Sequence, residues 1–146
     1  MAFSNPSDTD VAALLNGAKT IALIGASANA SRDSYGVMQF LQRKGHRVIP
    51  INPGLAGQTL LGETVYASIA DLPEKVDLLD VFRASEYVGG IVDDSIAAGI
   101  PAIWTQLGVV DDKAAARAVA AGLVVVQNRC PKIEYPRLGL KGIPSH

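Results

Sequence analysis

Short, continuous apolar runs alternate with amphipathic stretches along almost the whole chain. Thr20–Ile24, Arg47–Ile51, Val76–Phe82, Ala102–Trp104 and Leu123–Val126 carry few polar residues. Such runs predict strands buried on both faces, because a half-exposed strand would alternate apolar and polar positions. Between them, helical spacing appears. Val11, Leu14 and Leu15 form a stripe in Ser7–Gly17, and Val37, Phe40 and Leu41 form one in Ser34–Lys44. Val88, Ile91, Val92 and Ile96 do the same in Ser85–Ala98, and Asp111–Ala121 reads as a fourth helix. Ser7, Asp33 or Ser34, and Asp111 or Asp112 are the expected caps, and Gly17, Gly45 and Gly122 the expected stops.

The remaining segments are weaker. Pro53–Leu61 reads as a loop, Thr64–Tyr66 as a short edge strand and Ile69–Leu72 as a brief helix. Pro50 has no backbone donor, so it marks the end of its strand rather than the middle. Gly89 and Gly90 each cost a helix about 1 kcal/mol relative to Ala, which predicts close backbone approach or a broken helix. The tail, residues 132–146, has no clean period and is expected to be irregular. Strands alternating with helices predict an α/β fold: a doubly wound, mostly parallel sheet of about five to six strands with helices on both faces. Residues 1–146 are expected to form one domain, with an N-terminal helix within 1–18.

In open parallel sheets, ligands sit beyond the carboxyl ends of the strands, where strand order reverses. The residues that follow each strand are therefore the informative ones. The first strand runs into Gly25-Ala26-Ser27, the second into Asn52-Pro53-Gly54 and the third into Phe82-Arg83. The next two run into Thr105-Gln106-Leu107-Gly108 and Gln127-Asn128-Arg129. A glycine and a small hydroxyl residue between a buried strand and a helix suit a phosphate, which backbone N–H groups and the helix dipole attract. Ser27 can donate its hydroxyl there, and Arg32 can neutralise charge. The loop is not a GxGxxG fingerprint, since the next glycine after Gly25 is Gly36. The second strand ends in Asn52-Pro53 where a nicotinamide-binding domain would place an acid for the ribose. Arg83 is placed as an anion ligand, and Phe82 either packs beneath an adenine or belongs to the core. Asp80, inside VDLLDVF, is expected to accept hydrogen bonds, because an unpaired buried carboxylate is costly.

Composition narrows the chemistry. The chain has 146 residues, a formal net charge of −1 and 49% hydrophobic residues, which describes a globular domain with a sizeable core. That charge argues against a nucleic-acid or anionic-membrane surface. No apolar run reaches 18 residues and the first ten are polar, so no signal peptide or membrane span is expected, and a cytoplasmic location is. The single cysteine, Cys130, excludes an internal disulfide, and no metal-binding cluster is visible. Of the two histidines, His46 precedes the second strand, away from the expected site, and His146 is the last residue. No residue is assigned a catalytic role.

Taken together, Gly25-Ala26-Ser27, RVIPINP (47–53), DLLDVFR (77–83), Trp104-Thr105-Gln106-Leu107-Gly108 and LVVVQNRCP (123–131) resemble the small stand-alone CoA-binding-domain proteins. These are similar to the nucleotide-binding domain of the succinyl-CoA synthetase alpha subunit. The resemblance spans roughly Thr20–Leu138. It implies a Rossmann-like fold that binds coenzyme A or acyl-CoA. By position, Gly25, Ala26 and Ser27 would meet the CoA phosphates, and Asn52 and Pro53 would border the adenosine side. Phe82 and Arg83 would line the facing wall, with Gln106 on the rim. The synthetase has a second domain with a phosphorylated histidine; this chain has no counterpart, so its activity is not implied. The synthetase's lysine after the second strand is also missing from Pro53-Gly54-Leu55-Ala56-Gly57, which leaves the CoA 3′-phosphate to Arg32 or Arg83. The expectation is non-catalytic CoA binding. The alternatives are a small nucleotide-dependent enzyme, an oxidoreductase or an acyl-CoA transferase or ligase component using Cys130 or Asp80, and a regulatory subunit that senses CoA. A homodimer or a protein partner is left open, with the tail as a docking arm.

Overall fold

Five parallel strands form the centre of the computed structural model, which describes residues 3–144. They are β1 (Thr20–Ile24), β2 (Arg47–Ile51), β5 (Leu78–Val81), β6 (Ala102–Thr105) and β7 (Val124–Val126), in the order β2-β1-β5-β6-β7. A two-stranded antiparallel ribbon of β3 (Thr59–Leu60) and β4 (Glu63–Thr64) lies outside this sheet. The helices are α1 (Asp8–Gly17), α2 (Asp33–Arg43), α3 (Val88–Ala97), α4 (Asp112–Ala120) and α5 (Pro131–Arg137). The fold is doubly wound, as the alternation predicts, and Rossmann-like, as the resemblance implies.

Burial explains the two layers. One core holds Val11 and Leu15 of α1, Val37, Met38 and Leu41 of α2, and Tyr135 of α5, packed with Ile21, Leu23, Leu78 and Trp104 of the sheet. The other holds Val88, Ile91 and Val92 of α3 and Ala114, Ala115 and Ala118 of α4, against Ala22, Ile49, Leu79, Val81 and Ile103. Alternate residues of each strand thus face opposite helix layers, which is why the strands read as unbroken apolar runs.

The structure corrects several expectations. The segment 59–64 forms a hairpin, where the sequence suggested a loop and then a strand from Thr64. Its turn is Leu61-Gly62, both at positive φ, and left-handed leucine is rare enough to carry no turn signal. Residues 131–137 form α5, where the tail was expected to be irregular; Pro131 sits at the helix start, where its missing N–H costs nothing. The Ser85–Ala98 helix is a 3₁₀ turn (Ser85–Tyr87) followed by α3, which runs unbroken through Gly89 and Gly90. Close approach is found at Gly89, whose carbonyl accepts from Arg117 Nη2 at 2.9 Å. At α2 the N-cap is Arg32, with no side-chain cap, rather than Asp33 or Ser34. Pro50 lies inside β2. Arg47 N and Ile51 O bond toward β1, so the Pro50 nitrogen points to the outer edge, where the Pro50 carbonyl accepts from Tyr66 N. His146 lies outside the described residues.

The amino end of the sheet is closed by internal bonds. His46 is buried and bonded through its ring nitrogens to the Ala18 carbonyl and the Tyr135 hydroxyl. Nδ1–H donates to Ala18, so Nε2 accepts from Tyr135 and the ring is neutral. Burial holds the His46 pKa below its usual value, against the Ala18 hydrogen bond. Arg47 pairs with Glu74 at 2.6 Å and Glu63 at 3.5 Å. On α5, buried Glu134 binds Arg129 and Arg137, and Arg137 reaches Asp8 of α1. Tyr135→Phe leaves His46 Nε2 without its donor and is expected to cost about 1–3 kcal/mol in urea unfolding at pH 7.5. The wild-type protein should lose stability as pH falls below about 6.5, because the unfolded histidine takes up its proton first.

Candidate functional site

The strand order reverses between β1 and β5, and the connections leave there toward opposite faces. The chain after β1 enters α2 on one face; the chain after β5 enters α3 on the other. A crevice opens between diverging connections of this kind. Its floor is a backbone contact. Phe82 N donates to Ile24 O at 2.8 Å, and a Cβ on Gly25 would lie 2.5 Å from Phe82 O. Gly25 also has φ +88°, so both conformation and space demand glycine.

The glycine loop is held from the neighbouring strand end. Gly25 N and Ala26 N both donate to Ile51 O, and Asn52 Nδ2 donates to Ala26 O at 2.7 Å. Asn52 Oδ1 accepts from Gly54 N at 2.8 Å, which starts the 3₁₀ turn Pro53–Leu55. Asn52 therefore uses both ends of its amide to fix the loop. Ser27 Oγ accepts from Asn29 N at 3.0 Å, which leaves its hydroxyl proton free to donate. Asn29 Oδ1 accepts from Ser31 N and Ser31 Oγ, shaping the turn into α2.

Two clefts lie side by side on this rim. The first, of about 680 Å³, is bounded by Gly25, Ala26, Ser27, Arg32, Asn52 and Phe82. The second, of about 640 Å³, is bounded by Arg32, Phe82, Arg83, Gln106, Cys130 and Lys132. Arg32, Asp33 and Phe82 border both. Eight of the nine residues named from the sequence thus gather around one continuous crevice; Pro53 lies outside both clefts, exposed at the head of its turn. Arg83 lies over the Tyr87 ring, 4.2 Å from its centroid. Among the described residues, Arg32, Arg83 and Lys132 have no carboxylate within ion-pair distance.

Cys130, which follows the last strand, reaches the rim; Lys132 and Ile133 reach it on the entry to α5, and the sequence carries no signal for these two once the tail is read as irregular. The rim residues after β7 have another use. Gln127 bonds Asp111 N and Asp112, its backbone is paired with the Asn5 side chain, and Asn128 Oδ1 accepts from Gly108 N. These bonds tie the loops together just beyond the end of β7. Cys130 is half-buried, and burial pushes its thiol pKa up, which works against a reactive thiolate.

Asp80 lies beneath the crevice, 1% exposed. Its Oδ1 accepts from Gln106 Nε2 at 2.8 Å, and its Oδ2 has no partner. Burial pushes the Asp80 pKa up to about 7, with the Gln106 bond pulling the other way. Among the described residues no group of His, Cys, Asp and Glu could hold a metal ion, and no described helix is long and apolar enough to cross a membrane.

Comparison with known proteins bears on family and fold. The family described as CoA binding domain matches residues 19–136. The Bacillus subtilis (strain 168) protein YneT, described as uncharacterized, is 29% identical over 131 residues, 90% of this chain and 96% of its own length. The structure of cell-free ID.343 from Thermus thermophilus is 37% identical, with a TM-score of 0.87, covering 91% of this chain and 99% of that one. The apo structure of dinucleotide-forming acetyl-coenzyme A synthetase 1 from Ca. Korarchaeum cryptofilum is 28% identical, with a TM-score of 0.66. It covers 82% of this chain, which corresponds to 28% of the synthetase.

Two substitutions test the site's construction. Gly25→Ala should destabilise the protein by about 2–4 kcal/mol, because the backbone of β5 must move; chemical denaturation measures this. Asp80 holds its proton more tightly folded than unfolded, so its contribution to stability falls as pH rises from about 4 to about 7. Asp80→Asn removes that dependence. The stability difference between variant and wild type should shift in the variant's favour between pH 4.5 and pH 8, read from urea midpoints.

Proposed function

The chain belongs to the CoA binding domain family, and we propose that it binds coenzyme A or acyl-CoA, without turning it over, in the crevice at the carboxyl ends of its strands. The observation that carries this is the junction of two clefts at Arg32 and Phe82, lined by three cations that make no ion pair among the described residues. Coenzyme A has the matching division: a nucleotide with a pyrophosphate and a 3′-phosphate at one end, and a long pantetheine arm ending in a thiol at the other. In this reading the pyrophosphate lies over Gly25, Ala26 and Ser27 at the uncapped start of α2, where N–H groups and the helix dipole favour anions. Asn52 and Pro53 border the adenosine. Arg32, Arg83 and Lys132 supply the positive charge that the loop 53–57 lacks. The pantetheine arm runs along Phe82 and Gln106 into the second cleft. The acetyl-coenzyme A synthetase among the structural neighbours supports the ligand class.

Several placements favour binding without turnover. His46 is locked in the core at the other end of the sheet, and the Cys130 thiol is held protonated by burial. Asn52, at the end of β2, is committed to Ala26 and Gly54, which disfavours nicotinamide dinucleotides.

Saturating CoA should raise the melting temperature through linkage, and NADH should not. Arg83→Ala and Ser27→Trp should each weaken CoA binding about tenfold or more in calorimetric titration while leaving the unliganded melting temperature within a few degrees. A shift with NADH and none with CoA overturns the proposal, and unchanged affinity in both variants removes the assigned site.

A further inference from the structure

We propose that Asp80 is a positioning residue: acting through Gln106, its charge state sets which end of the Gln106 amide faces the second cleft, and so whether the site prefers a free thiol or a thioester. This inference rests on the CoA binding proposed above and specifies the part of the ligand that the second cleft reads.

The geometry is a two-step contact between the core and the cleft. Asp80 is fully enclosed, flanked in register by Leu23 of β1 and Trp104 of β6. Gln106 follows β6, borders the second cleft and is 7% exposed. Its Nε2 donates to Asp80 Oδ1, while its Oε1 has no protein partner among the described residues. The Cys130 thiol is the titratable group that approaches Asp80 from α5. The charged residues Arg32, Asp33, Arg83 and Lys132 line the crevice at the cleft's edge.

Hydrogen-bond inventory does the rest. An ionised carboxylate only accepts, so it must be met by the amide nitrogen. Gln106 then turns Oε1 to the cleft, where it accepts from a ligand donor such as a thiol S–H. A protonated carboxyl has an O–H that needs an acceptor; Oδ2 has none beside it, so the proton is satisfied only on the oxygen that faces Gln106. The amide then turns over: Oε1 accepts from Asp80, and Nε2 faces the cleft as a donor to a thioester carbonyl. With its pKa at about 7, Asp80 populates both forms near neutrality. CoA should therefore bind with release of a proton from Asp80, and acetyl-CoA with uptake of one.

The test compares CoA with acetyl-CoA on the whole protein. They share every phosphate, so the ratio of their dissociation constants cancels phosphate titration. Between pH 5.5 and pH 8.5 that ratio should change about five- to tenfold, with acetyl-CoA favoured at the acid end. Asp80→Asn, whose amide can donate to Oε1, should hold the acetyl-CoA preference at every pH, and Gln106→Ala should abolish the preference. Independently of any ligand, the Asp80 carboxyl carbon and the Gln106 side-chain nitrogen should titrate together by NMR. A pH-independent ratio, or a ratio that still titrates in Asp80→Asn, overturns the proposal. So does the absence of a joint NMR transition. Failure of both ligands to bind instead overturns CoA binding itself, and this role of Asp80 with it.

Discussion

The contact between Gly25 and the backbone of Phe82 is the constraint on which the crevice depends. Two neighbouring parallel strands end together, and their chains must separate to opposite faces. They remain in backbone contact for one residue beyond the pairing, through Phe82 N and Ile24 O. A side chain at position 25 would collide with the Phe82 carbonyl and force the connections apart early. With glycine there, the divergence begins at Ala26 and Arg83, and the open space starts immediately above the sheet. Asn52 then fixes the loop from the third strand end. Three consecutive strands of the sheet, β2, β1 and β5, so define one edge of the crevice before any ligand-facing side chain is considered.

Legibility in the sequence followed the range of the forces involved. The five strands of the main sheet were visible because burial on both faces leaves a continuous apolar run. The glycine loop was visible because strand, glycine and helix are adjacent in the chain. The hairpin at 59–64 was not, since it turns on Leu61 in a left-handed conformation that only the surrounding pairing enforces. Nor was α5. Its seven residues contain two prolines, and its stability comes from distant partners: Glu134 with Arg129 and Arg137, Arg137 with Asp8, and Tyr135 with His46. Lys132 is hidden with it, whereas Cys130, which follows the last strand, is not. The sequence predicts that Asp80 accepts hydrogen bonds, and one of its oxygens does. That the other is an orphan depends on the packing around it.

The two ends of the sheet treat charge differently. At the amino end, Arg47 is satisfied by Glu63 and Glu74 and His46 is neutral and doubly bonded. At the carboxyl end, Arg32, Arg83 and Lys132 stand together around shared clefts without carboxylate partners in the described structure. Like charges gathered this way repel and lower stability, an arrangement that an anionic ligand reverses. The buried Asp80 adds a second local cost. Sites that break local rules of satisfaction are where function is expected, and here both departures fall on the same rim.

Helix α5 connects those two ends. It starts on the rim, where Cys130 and Lys132 border the second cleft, and by Tyr135 it has reached the buried histidine near the opposite end. Glu134 is enclosed and pairs with an arginine on each side, one from the rim loop and one from the helix's last turn. Breaking a buried pair of this kind leaves an uncompensated charge, so the helix is fixed more firmly than its seven residues alone would allow. A helix anchored in this way can hold a lysine at a cleft where it makes no ion pair among the described residues. The repulsion within the cationic rim is therefore opposed by contacts along α5, from Arg129 in the rim loop to the Tyr135–His46 bond near the other end of the sheet.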